Sequence, residues 1–134
     1  MDVGRRDIVK AMAAGGAATA AAGPAAAAEA GTPALAHHVF FWLKNAGSAT
    51  DRAALIAGLD TLRAIPTVGA LHIGTPAATE QRGVVDASWD VSELMFFHDA
   101  AGERAYQVHP IHQAFIAKCG HLWRKVVVYD AVSA

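Results

Sequence analysis

Three short segments of the chain carry bulky apolar side chains at consecutive positions rather than at every second one. They are HHVFFWLK at residues 37–44, VSELMFFH at 91–98 and LWRKVVVYD at 122–130. Each is too short for a globular helix and rich in aromatic and β-branched residues, so each is predicted to be a strand. Because successive side chains of a strand point to opposite faces, both faces of the resulting sheet are expected to be apolar.

This alternation divides each strand into two sets of side chains. In the first strand, Val39 and Phe41 oppose Phe40 and Trp42. The other strands divide in the same way, with Met95 and Phe97 opposing Leu94 and Phe96, and Val126 and Val128 opposing Val127 and Tyr129. Several exposed aromatic residues per strand would form an unusually large apolar patch, so neither face is expected to be open to water.

The chain between the first and third of these segments reads as a helix and a further strand. RAALIAGLDTLRAI, residues 52–65, has leucines at helical spacing, with Thr50 or Asp51 as the predicted cap and Pro66 after its end. VGALHIGT, residues 68–75, reads as a strand.

A loop precedes the VSELMFFH strand, and a second helical region follows it. The polar segment AATEQRGVVDASWD, residues 77–90, is predicted to be a loop or the irregular start of the next strand. Asp99 can cap a helix that runs through Tyr106, and Pro110 restarts helical structure after a break.

The elements therefore follow the order strand, helix, strand, strand, helix, strand. This is the split βαβ arrangement of the ferredoxin-like α+β fold, a four-stranded antiparallel sheet with helices on one face. The helix-free face is also apolar, and a second copy of the same chain is the most economical cover for it. We expect a homodimer whose two sheets close a barrel-like core.

The first 36 residues differ in composition from the rest, since every histidine and aromatic lies beyond them. The start MDVGRRDIVK resembles a twin-arginine export signal, and the Ala- and Gly-rich run after it is too weakly apolar for a membrane span. The matching residues are Arg5, Arg6, Ile8, Val9 and Lys10, with cleavage candidates at Ala28-Glu29-Ala30 and Ala34-Leu35-Ala36.

We therefore assign residues 1–36 to an export signal and linker, and residues 37–134 to one small domain. The expected location is the periplasm or the exterior, reached by the twin-arginine route. The alternative is a flexible Ala-rich extension, or an uncleaved amphipathic helix, on a cytoplasmic protein.

The charge pattern and the cysteine content exclude several classes of protein. Acidic and basic residues nearly balance, at 12 against 11, and the basic residues are scattered. Nucleic acid is therefore not expected as a partner. The single Cys119 excludes an internal disulfide, and no paired-cysteine zinc motif occurs. We expect Cys119 to be a packed helix residue.

The segment AYQVHPIHQAF, residues 105–115, holds the strongest candidate for chemistry. Pro110 suits the first position of a helix, which places His109 at the N-cap and His112 in the first turn. The positive end of the helix disfavours imidazolium, so His112 is a candidate general base. Tyr106 is then a candidate donor to a developing enolate or phenolate oxygen.

Two other interpretations of this segment remain open. In the first, His109 caps the helix, His112 satisfies a backbone carbonyl, and Tyr106 packs with Phe115 under the sheet. In the second, His109 and His112 chelate a metal. The second has weak support, because Pro110 interrupts the helix between them and no acidic ligand lies in the segment. We expect no metal and no cofactor.

A second group of candidates lies on the strands. His72 faces away from Leu71 and Ile73, towards the space between the two sheets of the expected dimer, and His38 shares that side with Phe40 and Trp42. A cavity with apolar walls and few polar groups suits a small apolar or aromatic molecule. We therefore list the candidate ligand-binding residues as His38, His72, His109, Phe40 and Trp42. A filled dimer core is the alternative.

Residues 37–134 resemble the stress-responsive dimeric α/β barrel (Dabb) family over nearly their full length. The resemblance rests on HHVFFWLK, IPTVGALHIGTP, YQVHPIHQAF and WRKVVVYD. It implies a ferredoxin-like protomer and a dimer closed through its sheets. One plant branch of the family is a polyketide cyclase that performs an aldol condensation without a metal, and other members are stress-induced proteins or have no assigned activity.

The resemblance also implies roles for individual residues. The acid/base histidine of the cyclase falls on His112, one active-site tyrosine falls on Tyr106, and the first-strand histidine falls on His38 or His37. The chain departs from the cyclase at Gly58, where the cyclase has another active-site tyrosine.

Two functional hypotheses follow. The first is a stress-response barrel domain that holds a small apolar or aromatic molecule in a cavity of the homodimer. The second is an enzyme of the cyclase or lyase type, in which His112 removes a proton next to a carbonyl and Tyr106 stabilises the oxyanion.

Overall fold

The computed structural model describes residues 34–134, which contain four strands and three α-helices. The elements in chain order are β1 (Leu35–Leu43), α1 (Ala49–Asp60), β2 (Ala70–Gly74), β3 (Val91–Phe97), α2 (Ala100–Gln107), α3 (Pro110–Cys119) and β4 (Trp123–Val132). Short 3-10 turns, Thr61–Ala64 and Gly120–Leu122, follow α1 and α3. The predicted export signal lies outside the described residues except for its last three positions, and it stays a prediction.

The four strands form one antiparallel sheet in the order β2-β3-β1-β4. Both central strands, β1 and β3, are flanked on each side. The order of elements and the antiparallel pairing confirm the predicted ferredoxin-like α+β fold. The edge strands of the sheet are β2 and β4.

One face of the sheet packs against the helices and forms the core. The odd-numbered side chains of β1, such as Val39 and Phe41, lie on this face with Met95 and Phe97 of β3. The helices and the 3-10 turn after α1 contribute further buried residues, among them Leu55, Leu59, Leu62, Tyr106, Phe115 and Cys119. Cys119 is thus the packed helix residue that the sequence predicted.

The helices begin and end at positions set by local hydrogen bonds. Ser48 caps α1, its hydroxyl accepting from the Asp51 backbone N–H at 3.1 Å, so the prediction of Thr50 or Asp51 as the cap was wrong. Serine is as good a cap as either, and it lies about two turns before Leu55, the first buried leucine of the helix. The α-helix gives way to a 3-10 turn at Thr61, before the predicted end at Ile65.

Strand β1 begins at Leu35, two residues before the strand predicted from His37. Leu35 is buried and opposes Phe97 and Val132 on the neighbouring strands. The cleavage candidate Ala34-Leu35-Ala36 therefore overlaps the first residues of β1, so cleavage after Ala36 would remove a core side chain.

The other face of the sheet has no helix packed on it, and we call it the helix-free face. One row of directly opposed side chains crosses it from edge to edge: His72, Leu94, His38 and Tyr129. A neighbouring row contains Ser92, Phe40 and Val127. Tyr129 is 65% exposed. Both faces therefore carry apolar groups, as the strand sequences predicted.

The loop before β3 covers one end of the helix-free face. The Trp42 indole N–H donates to the Ser88 hydroxyl at 3.1 Å, and the Trp89 ring lies 5.2 Å from the Phe40 ring, centroid to centroid. Trp42 is consequently only 8% exposed although no helix covers it.

Within residues 34–134, no helix is long and apolar enough to cross a membrane.

The packing of α1 against α3 depends on Gly58. A Cβ atom at this position would lie 2.4 Å from the Cys119 Sγ and 3.2 Å from a ring carbon of Phe115. We expect Gly58→Ala to lower the free energy of unfolding by about 1–2 kcal/mol, because the overpacking cost exceeds the gain in helix propensity. Urea denaturation followed by circular dichroism measures this change.

The double variant Gly58→Ala/Cys119→Ala is the matched control, because it removes the sulfur atom that the new methyl group would meet. It is expected to recover most of the lost stability. A single Gly58→Ala variant more stable than the natural protein would contradict the close packing of these helices.

Candidate functional site

A buried polar cluster lies between the sheet and the helices. Glu93 sits at the centre of β3 on the helix face, opposite Val39 and Ile73, and is 1% exposed. The Tyr106 hydroxyl, from the last turn of α2, donates to Glu93 Oε1 at 3.1 Å. The Glu93 carboxyl group therefore lies within the largely apolar core, where it accepts a hydrogen bond from the Tyr106 hydroxyl.

Burial dominates the ionisation of this pair. Removal from water raises the pKa of Glu93 to about 7, although the neighbouring His37 and the Tyr106 hydrogen bond act in the opposite direction. Burial and the nearby Glu93 carboxylate also raise the pKa of Tyr106. Glu93 thus changes its charge near neutral pH, whereas Tyr106 remains a hydrogen-bond donor.

His37 connects the buried cluster to the edge of the sheet. Its Nδ1 lies 2.5 Å from Asp130 Oδ1 on β4, directly across the strand pair. Its ring contacts those of Phe97 and Tyr106 at 6.0 and 5.8 Å. His37, rather than His38, is therefore the first-strand histidine that lies beside Tyr106.

His112 lies on the solvent side of the same cluster. Its ring is 4.5 Å from that of Tyr106, and its Nδ1 is 3.1 Å from the Gln107 carbonyl oxygen. Because a carbonyl only accepts, Nδ1 carries the proton and the neutral ring leaves Nε2 free to accept one. Burial lowers the pKa of His112, outweighing the carbonyl contact that raises it. The direction is the one predicted, but burial is the main cause rather than the helix terminus.

His109 has a local structural role at the start of α3. It is the N-cap residue, its Nδ1 accepting from the Ile111 backbone N–H at 3.1 Å, and Pro110 follows it as predicted. The cap directs this nitrogen towards the helix backbone rather than towards His112. Within residues 34–134, no group of three or more His, Cys, Asp or Glu side chains is placed to hold a metal ion.

The remaining predicted site residues lie on the opposite side of the sheet. His38, Phe40 and Trp42 alternate with His37 and therefore face away from Tyr106 and His112. His72 joins them through the row that it shares with His38. The sequence-predicted residues consequently form two separate groups, with Tyr106, His109 and His112 on the helix side and the others on the helix-free face.

The helix-free face contains a small cavity, which we call the aromatic cleft. It has a volume of about 110 Å³ and is lined by Phe40, Trp42, Asp86, Trp89 and Tyr129. Burial and the neighbouring His72 and His37 lower the pKa of His38, whose ring packs on Phe40 at 4.3 Å. Of the second group, Phe40 and Trp42 line this cleft, whereas His38 and His72 lie on the same face outside it.

Sequence reasoning missed several residues of both groups. Glu93 occupies a core-facing position in the alternation of VSELMFF, and a charged residue at such a position was the available signal. Asp86 and Trp89 lie in the predicted loop, and nothing in the loop sequence reveals that it folds back over β1.

The model of the stress responsive A/B barrel domain family (Dabb) matches residues 35–133, most of the chain. The chain belongs to this family. A search of curated proteins finds no significant match.

Solved structures share this fold at low sequence identity. A dimeric ferredoxin-like protein of unknown function from Thermobifida fusca is 22% identical, with a TM-score of 0.62 over 75% of this chain and 92% of its own. A Dabb family protein from Mesorhizobium loti is 24% identical, with a TM-score of 0.63 and coverage of 77% and 99%. Hydroxynitrile lyase from Passiflora edulis is 22% identical, with a TM-score of 0.61 and coverage of 77% and 96%. Identities this low show similarity of fold alone.

The ionisation of Glu93 makes stability depend on pH. Because its pKa is raised, Glu93 in the folded state keeps a proton that it has already released in the unfolded state. The contribution of Glu93 to the free energy of unfolding is therefore fully present below pH 4.5 and is lost as the pH rises through about 7. Glu93→Gln keeps an acceptor for Tyr106 but cannot ionise. Its free energy of unfolding, relative to the natural protein, should rise by up to roughly 3 kcal/mol between pH 5 and pH 8.

Urea denaturation at several pH values measures this difference. Glu80→Gln, an exposed change in the loop before β3, is the matched control and should follow the natural protein at every pH. A constant difference between Glu93→Gln and the natural protein across this range would contradict the account.

Proposed function

We propose that the chain acts as a homodimeric small-molecule-binding domain, with the ligand held between the two helix-free faces. The observation that carries this proposal is the aromatic cleft, a cavity with four aromatic lining residues on a face that no helix of the protomer covers. The ligand class that suits it is a small apolar or aromatic molecule.

The composition of the helix-free face supports the dimer. Phe40, Leu94 and Phe96 are only partly buried within the protomer, and Tyr129 is largely exposed. Covering such a face removes apolar area from water at roughly 25 cal/mol per Å². The Thermobifida fusca protein of similar fold is described as dimeric, which supports the same assembly here.

Benzyl alcohol, a small neutral aromatic molecule, tests the binding proposal by isothermal titration with the full chain. Trp89→Ala removes one wall of the aromatic cleft without altering a strand, and should weaken binding about tenfold. Ile116→Ala removes a partly exposed apolar side chain on α3 and should leave the affinity unchanged. Equal affinities in the natural protein and Trp89→Ala would place binding elsewhere and contradict the proposal.

A second candidate function is acid–base catalysis on a small carbonyl compound at the helix-side cluster. The observation that favours it is the His112 ring beside Tyr106, with Nε2 unprotonated in the neutral ring. In this reaction His112 takes a proton from the carbon next to the carbonyl. Because the Tyr106 hydroxyl donates to Glu93, it must turn from Glu93 to reach the developing oxyanion, and protonation of Glu93 weakens its hold.

Exchange of deuterium from heavy water into 1-phenyl-1,3-butanedione, followed by NMR, tests this second function. The natural protein should accelerate exchange, and His112→Ala should reduce the acceleration by about 10² or more. The rate should rise with pH through a midpoint below 6.5, because burial lowers the pKa of His112 and only the neutral ring accepts the proton. It should fall again above about pH 7, where Glu93 ionises and holds the Tyr106 hydroxyl more tightly.

His121→Ala, which removes an exposed histidine beyond α3, is the matched control and should keep the natural rate. A rate of exchange in the natural protein equal to that in buffer would eliminate the second candidate.

A further inference from the structure

The rings of the aromatic cleft stand as walls rather than as a stack. Phe40 meets Trp89 at 66° with centroids 5.2 Å apart, and meets Tyr129 at 75° with centroids 6.0 Å apart. These rings pack edge to face, and the cavity beside them is bounded by Phe40, Trp42, Trp89 and Tyr129. The electron-rich face of an aromatic ring attracts a cation, and several faces around one space bind a quaternary ammonium group.

A carboxylate lies at the same cavity. Asp86 lines the aromatic cleft, and its Oδ1 accepts from the Ser88 backbone N–H at 2.9 Å and from the Ser88 hydroxyl at 2.6 Å. These two bonds lower the pKa of Asp86, with the hydroxyl contributing most. The carboxylate therefore stays ionised, and Oδ2 makes none of these bonds.

Hydrogen bonds hold the carboxylate and the indole rings in one arrangement. The Ser88 hydroxyl that donates to Asp86 also accepts from the Trp42 indole N–H at 3.1 Å. The Trp89 indole N–H donates to the Asp86 carbonyl oxygen at 2.9 Å. Asp86 is thus connected to both tryptophans, so the negative charge and two aromatic walls are positioned before any ligand arrives.

A cation already occupies part of this surface. The Lys125 ammonium lies 4.6 Å from the centroid of the Trp42 ring, a distance typical of a cation–π contact. In this fold a cation therefore lies against the face of the Trp42 ring. The cleft volume of about 110 Å³ equals the space of three to four water molecules at about 30 Å³ each, which suits a compact head group.

We propose that the aromatic cleft binds the methylated ammonium group of a small organic cation. Methyl groups contact the rings of Phe40, Trp89 and Tyr129, while the positive charge is balanced by Asp86. This inference rests on the proposed function, since it places the ligand in the same cleft, and it narrows that ligand to a small molecule whose methylated, apolar head group carries a positive charge.

Choline and its neutral isostere 3,3-dimethylbutan-1-ol differ only in the atom at the centre of the methyl groups. In isothermal titration with the full chain, choline should bind at least about tenfold more tightly than the isostere. Asp86→Asn should weaken choline binding about threefold to fivefold and leave the isostere unaffected. Glu80→Gln, a carboxylate removed from the same loop outside the cleft, is the matched control and should bind choline normally.

Lys125→Met gives a second, independent readout. It removes the ammonium group that lies over Trp42 and would repel a cation bound beside Asp86, so choline should bind more tightly by a similar factor. A loss of choline affinity in this variant would overturn the proposal.

Binding of benzyl alcohol distinguishes a failure of the cation inference from a failure of the proposed small-molecule-binding function. If it binds at the cleft while choline binds no better than its isostere, the cation inference fails and the proposed function stands. If neither choline nor benzyl alcohol binds the natural protein, both fail.

Discussion

A four-stranded sheet with helices on one side only must cover its other side, and here that side carries aromatic residues from several strands. The helix face buries a continuous apolar core around Phe41, Met95 and Leu59. The helix-free face has Phe40, Phe96 and Tyr129 and no element of the protomer to cover most of it. The loop before β3 covers only one end of this face. The proposed dimer, and the ligand site between its two sheets, both depend on a second copy removing the rest of the helix-free face from water.

The sheet also separates two kinds of chemistry. On the helix face, Glu93 costs folding energy because a carboxyl group is buried with one tyrosine donor, and a cost of this kind is common at functional sites. On the helix-free face, Asp86 and Lys125 lie beside the aromatic cleft, and Asp86 is exposed to water. The first arrangement suits proton transfer near neutral pH, and the second suits recognition of a ligand. His37 and His38 are neighbours in β1, and because successive side chains of a strand point to opposite faces, His37 belongs to the first group and His38 to the second.

Much of the fold follows from local patterns in the sequence, whereas the site depends on contacts distant in the chain. Alternation predicts the two faces of β1 and β3, and Pro110 predicts the start of α3, because both are set by backbone geometry over a few residues. The pairing of Tyr106 with Glu93 and the return of Trp89 to Phe40 join separate elements, and no local pattern encodes them. Glu93 was within reach of sequence reasoning, since alternation places it among core residues. Whether His37 or His38 lies beside Tyr106 could be settled only once the structure showed which face of β1 the helices cover.

Sedimentation equilibrium of the full chain at micromolar concentration tests the central claim most directly. The account predicts twice the protomer mass for the natural protein. It predicts the protomer mass, with unchanged circular dichroism, for Leu94→Glu, which places a charge in the row between His72 and His38. A folded natural protein that sediments as a single protomer, with Tyr129 accessible to solvent, would contradict it.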